Sequence, residues 1–271
     1  MISRPRGSLW KGGILAAAIV VALLAGCRGG GGTSPDGGSA AGPTASPATV
    51  VVSNALPLER FQYTATLTLQ ERSAAQPRDV VISTDGTFQA PDRHAFTYTT
   101  RFGGGMLAES AVIIGDQVWV RESDAPWRQT TLDDEQADEL LGSAFTTIRP
   151  NFLGGPEFDG VRESVRRLPS SDELVNGVLT QHYDVGPAGQ EFFRTFLGGE
   201  GLFQAAEGID WELWLADEGA WPVRLLIRAT INADLAILDE LGLVAPTSWV
   251  LRIDLSRPND PTLTVLAPDG G

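Results

Sequence analysis

One cysteine gives the clearest chemical signal in the sequence. Leu24-Ala25-Gly26-Cys27 matches the lipobox pattern, in which small residues admit a signal peptidase and the cysteine sulfur takes a diacylglyceryl group. Cys27 is the only cysteine in the chain, so no disulfide can form within one molecule. The pattern predicts cleavage before Cys27 and attachment of fatty acyl chains such as palmitate to the mature amino end.

Residues 1–26 have the character of a lipoprotein signal peptide. Arg4, Arg6 and Lys11 form a positive start, and the apolar run from Ile14 to Ala25 is shorter than the ~18–20 residues that a spanning helix needs. The alternative is an uncleaved membrane anchor with an incidental cysteine. We expect an extracytoplasmic protein, periplasmic or on the cell surface, that is held on a membrane through lipidated Cys27. Whether that membrane is the inner or the outer one is left open.

Other residue types with chemical potential do not form a recognisable site. The two histidines, His94 and His182, belong to no metal-ligand spacing and accompany no nucleophile elbow, so we expect partly exposed strand residues. Gly103-Gly104-Gly105 lies between predicted strands and is typical of a hairpin tip rather than a phosphate-binding loop. The sequence therefore predicts no catalytic residue, metal or cofactor and a protein that is not an enzyme, although an enzyme stays an alternative.

A tether and a strongly acidic domain follow the cysteine. Residues 27–53 are rich in Gly, Ser, Thr, Ala and Pro and cannot bury enough surface to fold, so they predict a flexible linker. Cleavage removes three positive charges and no negative one, which takes the formal net charge from −14 to −17. A surface of that sign repels nucleic acid and anionic head groups, so we expect no nucleic-acid partner. A protein partner cannot be identified from the sequence.

Residues 54–271 are predicted to form one mainly β domain. Alternation of apolar and polar residues with period two dominates this region, as in strands that are half-buried on one face. The Asn176-Gly177 pair suits a type I′ hairpin turn. Strands are expected at Phe61–Leu69, Asp79–Phe88, His94–Phe102, Ala111–Ile114, Val118–Val120, Pro126–Thr130, Val161–Leu168, Leu174–Asp184, Ile209–Ala216, Trp221–Ile231, Ser248–Leu255 and, as an edge strand, Thr262–Leu266.

Helical spacing interrupts the strands at three places. The first helix is expected to begin near Thr131 and end near Gly142 or Phe145; the others are expected at Glu191–Leu197 and Asp234–Leu241. A sheet with one apolar face must cover that face, and these helices are the candidates. The predicted class is mainly β with inserted helices, α+β. Two separate domains, before and after the first helix, are the alternative.

Three passages resemble the bacterial lipoprotein-carrier superfamily, that is, the LolA and LolB carriers and the mycobacterial LppX/LprG lipoproteins. The first runs from Phe61–Leu69 to a Pro-Asp-Arg turn, Pro91–Arg93. The second is the tryptophan-containing hairpin Val112–Val120, followed by Trp127. The third is the hairpin Trp211–Arg224, with an acidic turn before Pro-Val.

The resemblance implies a fold and a kind of ligand. It implies a single highly curved antiparallel β half-barrel, with two or three helices on its concave face and a lipid or lipoprotein acyl group bound between them. Carriage and sensing are both compatible with it. The alternative is a protein-docking or envelope-regulatory module with a filled core, since related folds occur in periplasmic regulators of anti-sigma factors. The chain departs from the family pattern at Asp234–Leu241 and Gln190–Gly208.

Alternation and the expected helices together suggest which side chains would line such a pocket. For each one the alternative is an ordinary core residue, because alternation does not tell which apolar face is hollow. The predicted pocket residues are Phe61, Tyr63, Leu67, Phe96, Tyr98, Trp119, Leu140, Phe193, Trp211, Leu213, Leu225 and Ile227.

Overall fold

The computed structural model describes residues 56–72, 78–102, 105–131, 165–185, 205–235, 238–239 and 241–268. These residues form long strands wherever the sequence alternates with period two. The strands are β1 (Arg60–Glu71), β2 (Asp79–Gln89), β3 (Arg93–Phe102), β4 (Gly105–Ile114), β5 (Gln117–Glu122), β6 (Arg128–Thr131), β7 (Val165–Val175), β8 (Val178–Val185), β9 (Ala206–Ala216), β10 (Pro222–Ile231) and β11 (Thr247–Ser256).

All eleven strands join one open antiparallel sheet. Their spatial order is β6-β5-β4-β3-β2-β1-β11-β10-β9-β8-β7, so every neighbouring pair except β1–β11 is also consecutive in the chain. The first and last strands pair along their whole length, from Gln62 with Ser256 to Glu71 with Thr247. Strands from both sides of residues 132–164 therefore lie in the same sheet, with β6 and β7 at its two edges.

The sheet has two chemically different faces. Along β1 the odd-numbered residues from Phe61 to Glu71 are buried or half-buried, whereas most even-numbered ones are half-buried or exposed. Direct pairing carries this alternation across the sheet, because Leu67 lies opposite Ile82 on one side and Leu251 on the other. We call the side that bears Phe61 the apolar face and the side that bears Thr64 the polar face.

The main hydrophobic core lies along the apolar face. It is one cluster of buried residues that extends from Val118 of β5 to Val185 of β8. Trp211, Trp249 and Phe61 are among the largest fully buried side chains. Because aromatic side chains remove the most surface from water, they are expected to dominate the stability of this core.

The C-terminal segment crosses the polar face. Backbone carbonyls of Leu263 and Val265 accept hydrogen bonds from Arg60 and Arg93, at 3.4 and 3.1 Å, and Val265 donates its N–H to Gln89 Oε1 at 3.0 Å. The edge strand predicted at Thr262–Leu266 does not form. Hydrogen bonds from side chains take the place of strand-to-strand backbone hydrogen bonds for this segment, because β11 is already paired on both sides, with β1 and β10.

Most of the predicted strands are confirmed, whereas two of the three predicted helices lie outside the described residues. The Asn176-Gly177 turn has φ values of 53° and 81°, as a type I′ turn requires. The strand predicted at Val161–Leu168 instead forms as Val165–Val175 and leads directly into that turn. Within the described residues only Leu238 and Asp239 are helical. The first two predicted helices, near Leu140 and Phe193, lie outside these residues.

Candidate functional site

Nine of the twelve predicted pocket residues lie together on the apolar face. The pairing places Leu67 opposite Leu251, Leu251 opposite Ile227, and Ile227 opposite Trp211. Since directly paired side chains in antiparallel strands have Cβ atoms about 4.5–5.5 Å apart, these four form one row across four strands. The nine buried residues are Phe61, Tyr63, Leu67, Phe96, Tyr98, Trp211, Leu213, Leu225 and Ile227.

The other three predicted residues do not join this group. Trp119 lies on the polar face, where it forms a small separate cluster with Val112 and Val265. The run Val118–Val120 is apolar at three successive positions, so its sequence does not reveal which residue faces which side. Leu140 and Phe193 fall outside the described residues.

A buried polar pair stands at one end of the apolar face. The hydroxyl of Tyr63 lies 2.6 Å from Nε2 of His94, and both side chains are almost fully buried. The Tyr63 ring occupies the space above Gly86, where an added Cβ would lie 2.5 Å from the ring carbon Cε1. Glycine is therefore needed at position 86 for steric reasons. His94 also lies 4.9 Å, centroid to centroid, from the Phe96 ring.

Burial keeps this pair uncharged at neutral pH. Desolvation lowers the pKa of His94 to about 4, and burial together with the charge on Asp85 raises the pKa of Tyr63 well above its usual value. The Tyr63 hydroxyl then donates to the Nε2 atom of a neutral imidazole. The sequence-based expectation of a partly exposed histidine was wrong, for His94 is 3% exposed. The signal was present in its spacing, because His94 alternates in step with Phe96 and Tyr98.

Carboxylates mark the limit of the apolar face on β4 and β5. Glu109 pairs directly with Tyr98 on one side and with Glu122 on the other. Burial, and next the charge on Glu122, raises the pKa of Glu109. The apolar surface thus gives way to a pair of facing acidic groups near this edge of the sheet.

The polar face carries a second buried histidine within a network of hydrogen bonds. The two ring nitrogens of His182 lie 3.1 Å from Glu173 Oε1 and 2.8 Å from Glu212 Oε2. The indole of Trp214 stacks on the imidazole, with ring centroids 4.0 Å apart, and donates to Glu173 Oε2 at 2.9 Å. That bond is the main cause of the lowered pKa of Glu173. His182 was also expected to be partly exposed, and this too was wrong, for it is 8% exposed.

Two clefts lie over the described residues of the polar face. One has a volume of about 460 Å³ and is lined by residues of β1 to β5, with Trp127 and Ser256 at its border. The other, of about 680 Å³, lies over β1, β11 and β10 and reaches Asn176 at the β7–β8 turn. Hydroxyl and charged side chains supply much of both linings, which suits polar ligands rather than acyl chains.

Neither a metal site nor a membrane-spanning helix is found in the part of the chain that the structure describes. There, no group of three or more His, Cys, Asp and Glu side chains is placed to hold a metal ion. No helix in the same residues has the length and apolar character needed to cross a bilayer.

Comparison with known proteins gives structural neighbours only. No protein-family model and no curated protein matches the chain. A LolA superfamily protein from Nitrosomonas europaea is 10% identical, with a TM-score of 0.26, and the match covers 79% of this chain and 93% of that one. An outer membrane lipoprotein-sorting protein domain from Vibrio parahaemolyticus is 13% identical, with a TM-score of 0.22, and the match covers 74% and 87% of the two chains.

A third neighbour is a DUF1329 family protein from Desulfovibrio piger. It is 11% identical, with a TM-score of 0.21, and the match covers 76% of this chain and 88% of that one. The LolA superfamily that the sequence motifs resemble is thus present among the structural neighbours.

Proposed function

We propose that this chain is a non-enzymatic, membrane-anchored extracytoplasmic lipoprotein that binds a lipid or lipoprotein acyl group against the apolar face of its sheet. Its role would be carriage or sensing of that group. The supporting observation is the continuous apolar surface on which nine predicted pocket residues meet. Residues 1–26, Cys27 and residues 27–53 would provide export, lipid anchor and tether.

Two connections are long enough to cover the apolar face. Residues 132–164 join β6 to β7, which lie at opposite edges of the sheet, and residues 186–205 join β8 to β9. Each includes a segment of helical periodicity with one predicted pocket residue, Leu140 or Phe193. We infer that both segments fold as helices over the apolar face, and that the sheet curves into a half-barrel with a hollow beneath them.

The chemistry of the apolar face suits an acyl chain. Burial of each methylene group contributes roughly 0.8 kcal/mol, so a few buried carbons give useful affinity. The Tyr63–His94 pair lies on this face without a net charge at neutral pH. An acyl chain near it would therefore not have to displace water from a buried ion.

A matched pair of tryptophan variants on β1 tests the proposal. Ala65 is half-buried on the apolar face and packs against the core cluster, whereas Thr66, the next residue, faces the 680 Å³ cleft on the polar side. If the apolar face holds a hollow, the Ala65→Trp side chain enters it. Uptake of a fluorescent fatty acid should then fall at least tenfold while the protein stays folded, and Thr66→Trp should leave uptake unchanged.

A docking or envelope-regulatory module with a filled interior is the second candidate. The observation that favours it is the complete burial of Trp211 and Trp249 on the apolar face. In a filled core Ala65→Trp would overpack the interior and cost about 1–3 kcal/mol of unfolding free energy. That loss, together with no fatty-acid uptake by the unmodified domain, would support the docking module and contradict the acyl site.

A further inference from the structure

The smaller cleft on the polar face contains an arginine in an unusual setting. The guanidinium carbon of Arg121 lies 4.6 Å from the centre of the Trp127 ring. The Nε atom of Arg121 is buried, and none of the residues that the structure describes accepts a hydrogen bond from it. By contrast, Arg224 and Arg228 on the same face are each paired with carboxylates. A buried donor left unsatisfied costs about 1–3 kcal/mol, which a water or a ligand oxygen that accepts its hydrogen bond would recover.

Stacking prepares Arg121 to receive an oxyanion. An arginine held against an aromatic ring keeps its N–H groups in the plane of the guanidinium, where they form a fork that matches a carboxylate or a phosphate. The contact with Trp127 also limits the rotamers of a long side chain, which lowers the entropy lost when a ligand binds. Arg121 and Trp127 both line the 460 Å³ cleft.

Hydroxyl groups stand beside this arginine. Ser110 is the direct cross-strand partner of Arg121, and Thr97 is the partner of Ser110. Their hydroxyl oxygens lie 3.1 Å apart, and both residues line the cleft. Ser110 lies one strand from Arg121 and Thr97 two strands from it, so both add O–H donors to the lining of the same cleft.

Among the described residues that line the cleft, the one carboxylate, Asp85, lies far from Arg121. Asp85 is the cross-strand partner of Thr97, and its Oδ1 accepts a hydrogen bond from Thr64 at 2.7 Å. Three strand spacings separate Asp85 from Arg121, which is about 14 Å between Cα atoms. This separation exceeds the Debye length of about 8–10 Å near physiological ionic strength, so Asp85 has little effect on the positive charge of Arg121.

We propose that this cleft binds a small polar ligand through an oxyanion group, a carboxylate or a phosphate, held by Arg121, Ser110 and Thr97. The volume of about 460 Å³ lies within the range of small-molecule sites. The site is on the opposite side of the sheet from the proposed acyl surface, so it does not depend on that proposal. The acidic character of the chain disfavours unspecific anion binding and gives a low background.

Calorimetry on residues 27–271 with Cys27→Ser, which keeps the mature chain soluble, tests the site. The probes are acetate, inorganic phosphate, glycerol 3-phosphate and dihexanoylphosphatidic acid below its micelle concentration. At least one should bind saturably at low salt, and Arg121→Gln should weaken it at least tenfold. Arg101→Gln, which removes an exposed arginine of the same face outside the cleft, should change the affinity less than twofold.

The probes also separate the sources of the oxyanion. Binding of phosphatidic acid alone indicates a lipid head group, whereas binding of glycerol 3-phosphate, phosphate or acetate indicates a soluble ligand; each supports the site. Ser110→Ala should weaken the same probe about threefold or more, and it provides a second test if Arg121→Gln does not fold. No saturable binding of any probe, or equal loss in Arg121→Gln and Arg101→Gln, would overturn the proposal.

Discussion

The two faces of the sheet are built from the same strands and have opposite chemistry. On β1, Phe61 and Leu69 are fully buried in the core cluster, whereas Thr64 and Thr66 line clefts on the other side. The apolar face is continuous because the directly paired rows place aliphatic or aromatic groups next to each other across most of the strands. The polar face carries two clefts lined largely by hydroxyl and charged side chains. One sheet can therefore offer a surface for an acyl chain and a separate one for polar ligands.

The two buried histidines have different environments on the two faces. His94 on the apolar face touches Tyr63 and aromatic rings, and burial lowers its pKa to about 4. His182 on the polar face lies between the carboxylates of Glu173 and Glu212. The same residue type is thus held neutral by desolvation on one side and placed among charges on the other.

The two faces should differ most in the unfolding free energy that is lost when one side chain is shortened on each of them. Trp211→Ala should lower the unfolding free energy by about 3–5 kcal/mol, since it removes a fully buried indole and leaves a cavity. Thr66→Ala on the polar face should stay within about 0.5 kcal/mol. Urea unfolding of both variants measures the difference. Equal effects would mean that the apolar face is not the main core.

As the pH falls, the first loss of unfolding free energy is expected from protonation of His94 on the apolar face. Its folded pKa of about 4 is below its unfolded value of about 6.5, so the unfolded chain takes up the proton earlier. Stability should fall by up to about 3 kcal/mol as the pH drops from about 6.5 to 4. His94→Gln, which still accepts a hydrogen bond from Tyr63, should make the unfolding free energy nearly independent of pH in this range. A profile that is unchanged in His94→Gln would contradict the buried neutral histidine.

The glycine under Tyr63 gives a steric test of the apolar face. Gly86→Ala should destabilise the fold by about 1–3 kcal/mol, because the new methyl group overlaps the tyrosine ring. Tyr63→Leu in the same chain should remove most of that additional cost, which a double-mutant cycle measures. Additive effects of the two changes would show that the ring does not lie over Gly86.

The smallest effect is expected from the ion pairs of the polar face. Burial alone would raise the pKa of Asp254, but hydrogen bonds from Arg252, Asn176 and Arg224 lower it overall. Its contribution is present above the unfolded pKa of about 3.9 and is lost as the pH falls through the lower folded value. Asp254→Asn should cost about 1 kcal/mol at pH 7, and this cost should decrease as the pH falls through the lowered folded pKa of Asp254. A cost that does not decrease in acid would not come from the charge.

Alternation in the sequence was enough to predict the two faces but not all of their members. In β1, β3 and β10 the buried residues fall largely at every second position, and the predicted residues of those strands do share one face. Trp119 was predicted for the same face but lies on the other one, because both of its neighbours are valines and the pattern does not distinguish the two faces. The burial of both histidines was missed because residue type was given more weight than position in the alternating pattern.

Long-range features of the sheet were beyond sequence reasoning. The pairing of β1 with β11 joins residues almost 200 positions apart, and no local signal encodes such a contact. The C-terminal segment has the composition of a strand, yet Arg60, Gln89 and Arg93 satisfy its backbone groups on the polar face instead. The Arg121–Trp127 contact also depends on the β5–β6 hairpin geometry, which the sequence does not specify.

The most direct test of the acyl site is a native mass spectrum of residues 27–271 with Cys27→Ser, purified without detergent. If the apolar face holds an acyl group, the spectrum should show a mass excess of one acyl-containing molecule per chain, which organic solvent releases and which Ala65→Trp abolishes. A spectrum that shows only the bare chain in repeated preparations, with no fatty-acid uptake afterwards, would contradict it.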